Sequence, residues 1–158
     1  MKKVSRHETR ECLLQALYGR SVLGERFDLG VFLESYFDER YADLSKDAYF
    51  SEAFAGIVTR EGELCSVVRK FAPKFEIQMM PVVNLLPVFI AAFEMLYLEC
   101  DKVPEKVSID EAIELTKKFS DENSRTLVNG VLNSLKNDRE VFKTELAAAP
   151  EVRKFGIF

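Results

Sequence analysis

Apolar residues recur along this chain at intervals of three and four, and every long segment fits the 3.6-residue period of an α-helix. The clearest case lies between Val103 and Leu135. Pro104 lacks an amide hydrogen and disfavours α geometry at Val103, so it ends whatever precedes it. Ser108 stands three residues before Glu111, the spacing of a capping box, which predicts a helix start there. Ile109, Ala112, Ile113, Leu115, Thr116 and Phe119 share one side of that helix. Asp110, Glu111, Glu114, Lys117 and Lys118 share the other, with Glu114 and Lys118 at the favourable i,i+4 spacing. Ser120 and Asp121 punctuate, and Leu127, Val128, Val131, Leu132 and Leu135 resume the period. Two helices joined by so short a turn predict an αα-hairpin.

The remaining chain reads the same way. Ser5 and Glu8 form a capping box that opens a first helix to about Val22, and Gly24 stops it. Asp28 caps a short helix through Tyr36 or Phe37, and residues 38–44 read as a loop. Ser45 opens the longest expected helix, to about Lys70, with Glu61 inside its apolar stripe and Pro73 beyond its end. Val88 to Leu98 is apolar on all sides apart from Glu94, which predicts a central helix packed on every face. Asn137 and Asp138 predict a turn and a last short helix to about Ala147, and Gly130 is expected to permit close helix approach. The expected fold is all-α, about seven helices in two packed subbundles sharing the Val88 helix. Residues 1–147 form its one domain, and 148–158 are expected to be a flexible C-terminal tail.

Composition narrows the class. The 158 residues are 47% hydrophobic and 30% charged, as in a globular domain, and 7 Gly with 5 Pro leave little for a turn-rich β protein. The most apolar stretch, Met79 to Leu98, is broken by Asn84, two prolines and Glu94, so no membrane span is expected and the cytoplasm is the default location. Cys12, Cys65 and Cys100 are widely spaced and His7 is the one histidine, so thiols in a reducing compartment are expected rather than a metal site or disulfides.

Charge is unevenly placed. The net charge is −4, yet the first ten residues hold Lys2, Lys3, Arg6 and Arg10 against Glu8 alone. That leaves 18 of the 22 basic and 25 of the 26 acidic residues elsewhere, a body of −7 with a basic arm suited to a local anionic contact. At about 100° per residue, Lys3, Arg6, His7 and Arg10 share one sector with Leu13, Leu14 and Leu17 further on. Unpaired buried charge is costly, so the first two turns are expected to project past the core with their cations in solvent. His7 there has nothing to orient it for catalysis, and no phosphate-binding glycine motif occurs. Glu61 and Glu94 interrupt apolar faces and are expected to receive structural hydrogen bonds rather than act as an acid–base pair. No enzyme and no cofactor are expected.

Val103 to Phe119, V-P-E-K-V-S-I-D-E-A-I-E-L-T-K-K-F, and Val128 to Leu132, V-N-G-V-L, resemble the C-terminal signature of the NusB family of transcription antitermination factors. Arg10 to Tyr18, R-E-C-L-L-Q-A-L-Y, is similar to the family's opening helix, so the resemblance spans about Lys3 to Leu135. It implies a non-enzymatic protein whose N-terminal arm binds the boxA RNA element. Lys2, Arg6 and Arg10 match basic positions of that motif, and Lys3 and His7 are counted with them as RNA contacts, although His7, Glu8 and Thr9 depart from the motif and Glu8 adds a negative charge. Phe89 stands where the family often has an arginine, which implies that RNA capture leans on a partner. By resemblance the partner is NusE, a small-subunit ribosomal protein, docking on Tyr18, Val22, Phe119, Asn123 and Leu127 within an RNA polymerase elongation complex on ribosomal RNA genes. Two alternatives stay open: a helical interaction module without an RNA role, or a stand-alone relative of the N-terminal domain of RNA cytosine methyltransferases, whose cofactor domain does not follow here.

Overall fold

The computed structural model describes residues 3–36, 38–149 and 152–158, and among them there is no strand. Seven α-helices follow in order: α1 (Arg6–Leu23), α2 (Leu29–Glu34), α3 (Ala48–Thr59), α4 (Glu61–Phe71), α5 (Val82–Leu96), α6 (Glu105–Phe119) and α7 (Glu122–Ala148). Short 3₁₀ turns cover Gly24–Arg26, Glu39–Lys46 and Ile77–Met79. The expected all-α architecture of about seven helices is what forms.

Helix α5 is the axis of the molecule. Every residue from Leu85 to Leu96 is buried, including Pro87 in its second turn. On one side it packs against α6 and α7, and on the other against α1, α3 and α4. Large side chains fill the space between, with Tyr49, Phe50 and Phe89 essentially out of water. Truncating a buried phenylalanine in such a core costs about 3–5 kcal/mol. At Gly56 of α3 a methyl group would overlap the Phe93 ring of α5, so this glycine sets how closely the two helices approach. Gly130, by contrast, faces open space, and the close approach expected of it does not occur.

Several boundaries follow their sequence signals. The Ser5 hydroxyl accepts from the Glu8 amide and the Glu8 carboxylate accepts from the Ser5 amide, both at 3.1 Å, so the capping box is real. Asp28 caps α2 through the Val31 amide, and Gly24 ends α1 at φ +60°, where a side chain would be strained. The hairpin of α6 and α7 turns at Ser120 and Asp121, with Asp121 capping α7.

Other boundaries differ. The long helix expected from Ser45 to Lys70 begins instead at Ala48, capped by Asp47, and breaks at Arg60 into α3 and α4. The Thr59 hydroxyl bonds back to the carbonyls of Ala55 and Gly56, a competing bond that helps close α3 there. Helix α6 starts at Glu105 behind Pro104, one turn before Ser108, whose hydroxyl is used elsewhere. The loop expected at 38–44 is a 3₁₀ turn, and the turn expected at Asn137–Asp138 is a kink within α7 at Asp138. The tail expected to be flexible is held in place at its end. The amides of Phe155, Gly156, Ile157 and Phe158 all donate to the Glu61 carboxylate at 2.6–3.0 Å.

Candidate nucleic-acid and partner interfaces

The capping box fixes the direction of the first turn of α1, and the 3.6 period then decides where its cations go. Arg10 points inward. Its Nε and Nη2 donate to the two Glu94 oxygens at 2.8 and 3.0 Å. The Tyr49 hydroxyl donates to the same carboxylate at 2.5 Å and the Ser108 hydroxyl at 2.8 Å. Arg10 and Glu94 are only 3% and 6% exposed. Burial works against the Arg10 charge, but the Glu94 hydrogen bonds and charge outweigh it and hold the guanidinium protonated more firmly than usual. Burial, then the Glu94 charge, pushes the Tyr49 phenol well above its ordinary value. Arg10 was expected to stand in solvent as an RNA contact; it is instead a buried structural cation, because four donors converging on Glu94 satisfy what burial would otherwise penalise.

The other arm residues remain at the surface. Arg6 lies over the Tyr49 ring, its Cζ 4.1 Å from the centroid, and Nη1 reaches Asp101 at 3.3 Å. His7 bridges two helices: Nδ1 is 2.7 Å from Glu111 on α6 and Nε2 is 3.1 Å from Glu11 on α1. The hydrogen bond to Glu111 raises the His7 pKa, with burial opposing it. Lys3 is exposed, and Lys2 lies outside the described residues. Arg40 and Tyr41 approach the Glu8 carboxylate, each at 3.3 Å, and the Ser5 hydrogen bonds hold that carboxyl below its usual range. A cavity of about 430 Å³ opens beside Arg6 and His7, with Lys102, Pro104 and Val107 on its wall. Lys102 joins the arm from the end of the α5–α6 connection, a cation that local sequence spacing does not link to Arg6.

The expected partner contacts are placed as follows. His7, Glu11, Tyr18 and Val22 fall on one stripe of α1, and Tyr18 and Val22 are 48% and 62% exposed. Lys118 at the end of α6 pairs with Glu11 on that stripe rather than with Glu114, which takes Lys117. This ion pair links the stripe to Phe119, which is half-buried beneath the Lys118 ammonium at 5.6 Å from its ring. Asn123 is exposed and Leu127 half-buried on the first turns of α7. Among the described residues no group of three or more His, Cys, Asp or Glu is placed to hold a metal ion. Nor is any helix long and apolar enough to cross a membrane.

The class is an all-α helical bundle with basic side chains in the first turn of α1 and exposed apolar side chains further along the same helix. The chain belongs to the NusB family, whose model matches residues 7–137. It is 35% identical over 136 residues to the transcription antitermination protein NusB of Herpetosiphon aurantiacus, covering 85% of this chain and 92% of that one. It is 31% identical over 134 residues to the protein of the same name from Bacillus mycoides, covering 85% and 98%. The solved structure of T. maritima NusB superposes with a TM-score of 0.72 at 28% identity, over 90% of this chain and 99% of that one. The family is non-enzymatic, in agreement with the sequence reading.

Proposed function

We propose that this protein is a transcription antitermination factor that captures a boxA-type RNA together with NusE, within an RNA polymerase elongation complex on ribosomal RNA genes. The observation that carries this reading is helix α1, which bears Arg6 and His7 in its first turn and exposed Tyr18 and Val22 further along, with His7 on the same stripe as the last two. One helix thus offers phosphate contacts and a docking face side by side. Lys3, Arg6, His7 and Lys102 are the RNA contacts; Tyr18, Val22, Phe119, Asn123 and Leu127 receive NusE. Arg10 serves by holding α1 to α5 and α6 through Glu94 and Ser108.

The arm's cations face Asp101, Glu11 and Glu111, and the body is acidic, so a basic partner beside α1 supplies the positive field that the arm lacks. RNA and NusE therefore bind with positive coupling, about 1–3 kcal/mol, and each tightens the other equally. A calorimetric titration of boxA-type RNA with and without NusE tests this; equal RNA affinity in both would sink it. The same neutralised cations favour a second reading, a protein-interaction module without an RNA role. In that case RNA binding would be absent at low salt as well as high.

A further inference from the structure

The tail, outside the residues that match the family model, completes a second cationic surface with residues 69–78, which lie within them. Glu61 fixes the Phe155 amide at 2.6 Å, and the Phe155 ring lies near two guanidinium groups. Arg153 Cζ lies 4.4 Å from the ring centroid and Arg69 Cζ 5.8 Å. These three side chains form one wall of a groove of about 660 Å³, and Phe75, Ile77 and Gln78 line it further. Phe75 is 50% exposed. Neither Arg69 nor Arg153 has an ion-pair partner among the described residues, whereas neighbouring Lys70 is paired with Glu145. Lys74 and Lys154 add exposed positive charge nearby in the chain, and Glu76 is the one carboxylate on the groove's lining.

We propose that this groove binds single-stranded RNA, taking a stretch of transcript beyond the one held at α1. The inference rests on the reading that this protein handles RNA. Unpaired guanidinium groups on an otherwise acidic body are the residues that phosphate oxygens would satisfy, and their planar forks match phosphate geometry. The half-exposed Phe75 ring gives an unstacked base a face to lie on, and the Gln78 amide can meet a base edge. An acidic peptide would satisfy the arginines but leave the aromatic ring unused. Arginine and aromatic side chains together on a groove are the pattern of sequence-tolerant single-strand binding.

The test titrates the full chain with a short labelled oligouridylate and, separately, with a boxA-type RNA. Arg69→Gln combined with Arg153→Gln should weaken oligouridylate binding several-fold and lower the log–log salt slope by about 1.4, roughly 0.7 for each lost phosphate contact. Phe75→Ala, a change at a half-exposed ring, should weaken it about fivefold or more with little change in slope. Arg6→Ala, measured on boxA-type RNA alone, reports on the arm. Oligouridylate binding unchanged in both groove variants overturns the groove, whatever Arg6→Ala does. Weakened groove variants beside an unaffected Arg6→Ala would support the groove and remove the arm reading instead. A polyglutamate peptide that displaces oligouridylate at lower concentration than unlabelled RNA would assign the groove to an acidic partner and overturn the proposal.

Discussion

The Arg10 guanidinium closes on both oxygens of Glu94 in a site from which water is nearly excluded, 84 residues apart in sequence. Removing one partner of such a pair strands the other charge. Arg10→Ala should therefore cost about 3–5 kcal/mol in a denaturant titration, and Glu94→Ala a similar amount. If Arg10→Ala unfolded at the parent's midpoint while losing RNA affinity, Arg10 would be a surface contact after all.

Arg6→Ala should behave differently, because Arg6 is partly exposed, pairs with Asp101 and lies over the Tyr49 ring. Stability should change by less than about 1 kcal/mol. The boxA salt slope should fall by roughly 0.7 for one lost single-strand phosphate contact. Fluorescence anisotropy over a salt series, paired with thermal melts, separates the two effects.

His7 makes the joint between α1 and α6 sensitive to pH. Its folded-state pKa lies above the unfolded value, chiefly through the Glu111 hydrogen bond. Its contribution is thus complete below the unfolded pKa and is lost as pH rises through the raised folded value. The gap in melting temperature between parent and His7→Gln should be widest in mildly acidic buffer and close toward alkaline pH. With His7 about half exposed, the effect should stay below about 1 kcal/mol. A gap that widened with rising pH would mean that the imidazole is not pinned as a cation.

Glu61→Gln should free the tail. The amide cannot reproduce a carboxylate that accepts four backbone donors, so a loss of about 1–3 kcal/mol is expected. Hydrogen exchange at residues 155–158 should speed up sharply, and Phe158, which meets Phe89 edge-on at 6.3 Å, should lose that contact. Unchanged protection at these amides would show that other packing holds the segment.

Asn123→Asp introduces a charge on the exposed first turn of α7, at a position assigned to NusE. Desolvating an unpaired carboxylate is costly, so NusE binding should weaken modestly and the thermal midpoint hold. Through the coupling, RNA capture by the pair should weaken with it. Isothermal titration of NusE into parent and variant gives the answer directly.

Local signals carried the fold. The Ser5–Glu8 box, Asp28, Gly24, and the periodic runs around Val88 and the hairpin are features that neighbours in sequence decide. The site was legible only in part, because its decisive contacts are distant. Arg10 shares a helical sector with Lys3 and Arg6, and nothing nearby distinguishes it; Glu94, Tyr49 and Ser108 do so from three other helices. Ser108 likewise reads as a cap until Glu94 claims its hydroxyl. Glu61 stood out as a carboxylate within an apolar stripe, yet its donors come from a segment more than 90 residues later, and no periodicity connects them.

The Glu61 clasp also has a timetable. Chain elongation at about 5–20 residues per second separates the synthesis of Glu61 from that of Phe155 by roughly 5–20 s. During that interval α5, α6 and α7 are still being made, and the surface of α4 at Gly62, later covered by Val152 and Arg153, lies bare. Until residues 152–155 are made, the groove lacks the part of its lining that Arg153 and Phe155 supply, and Arg69 lacks the Phe155 ring.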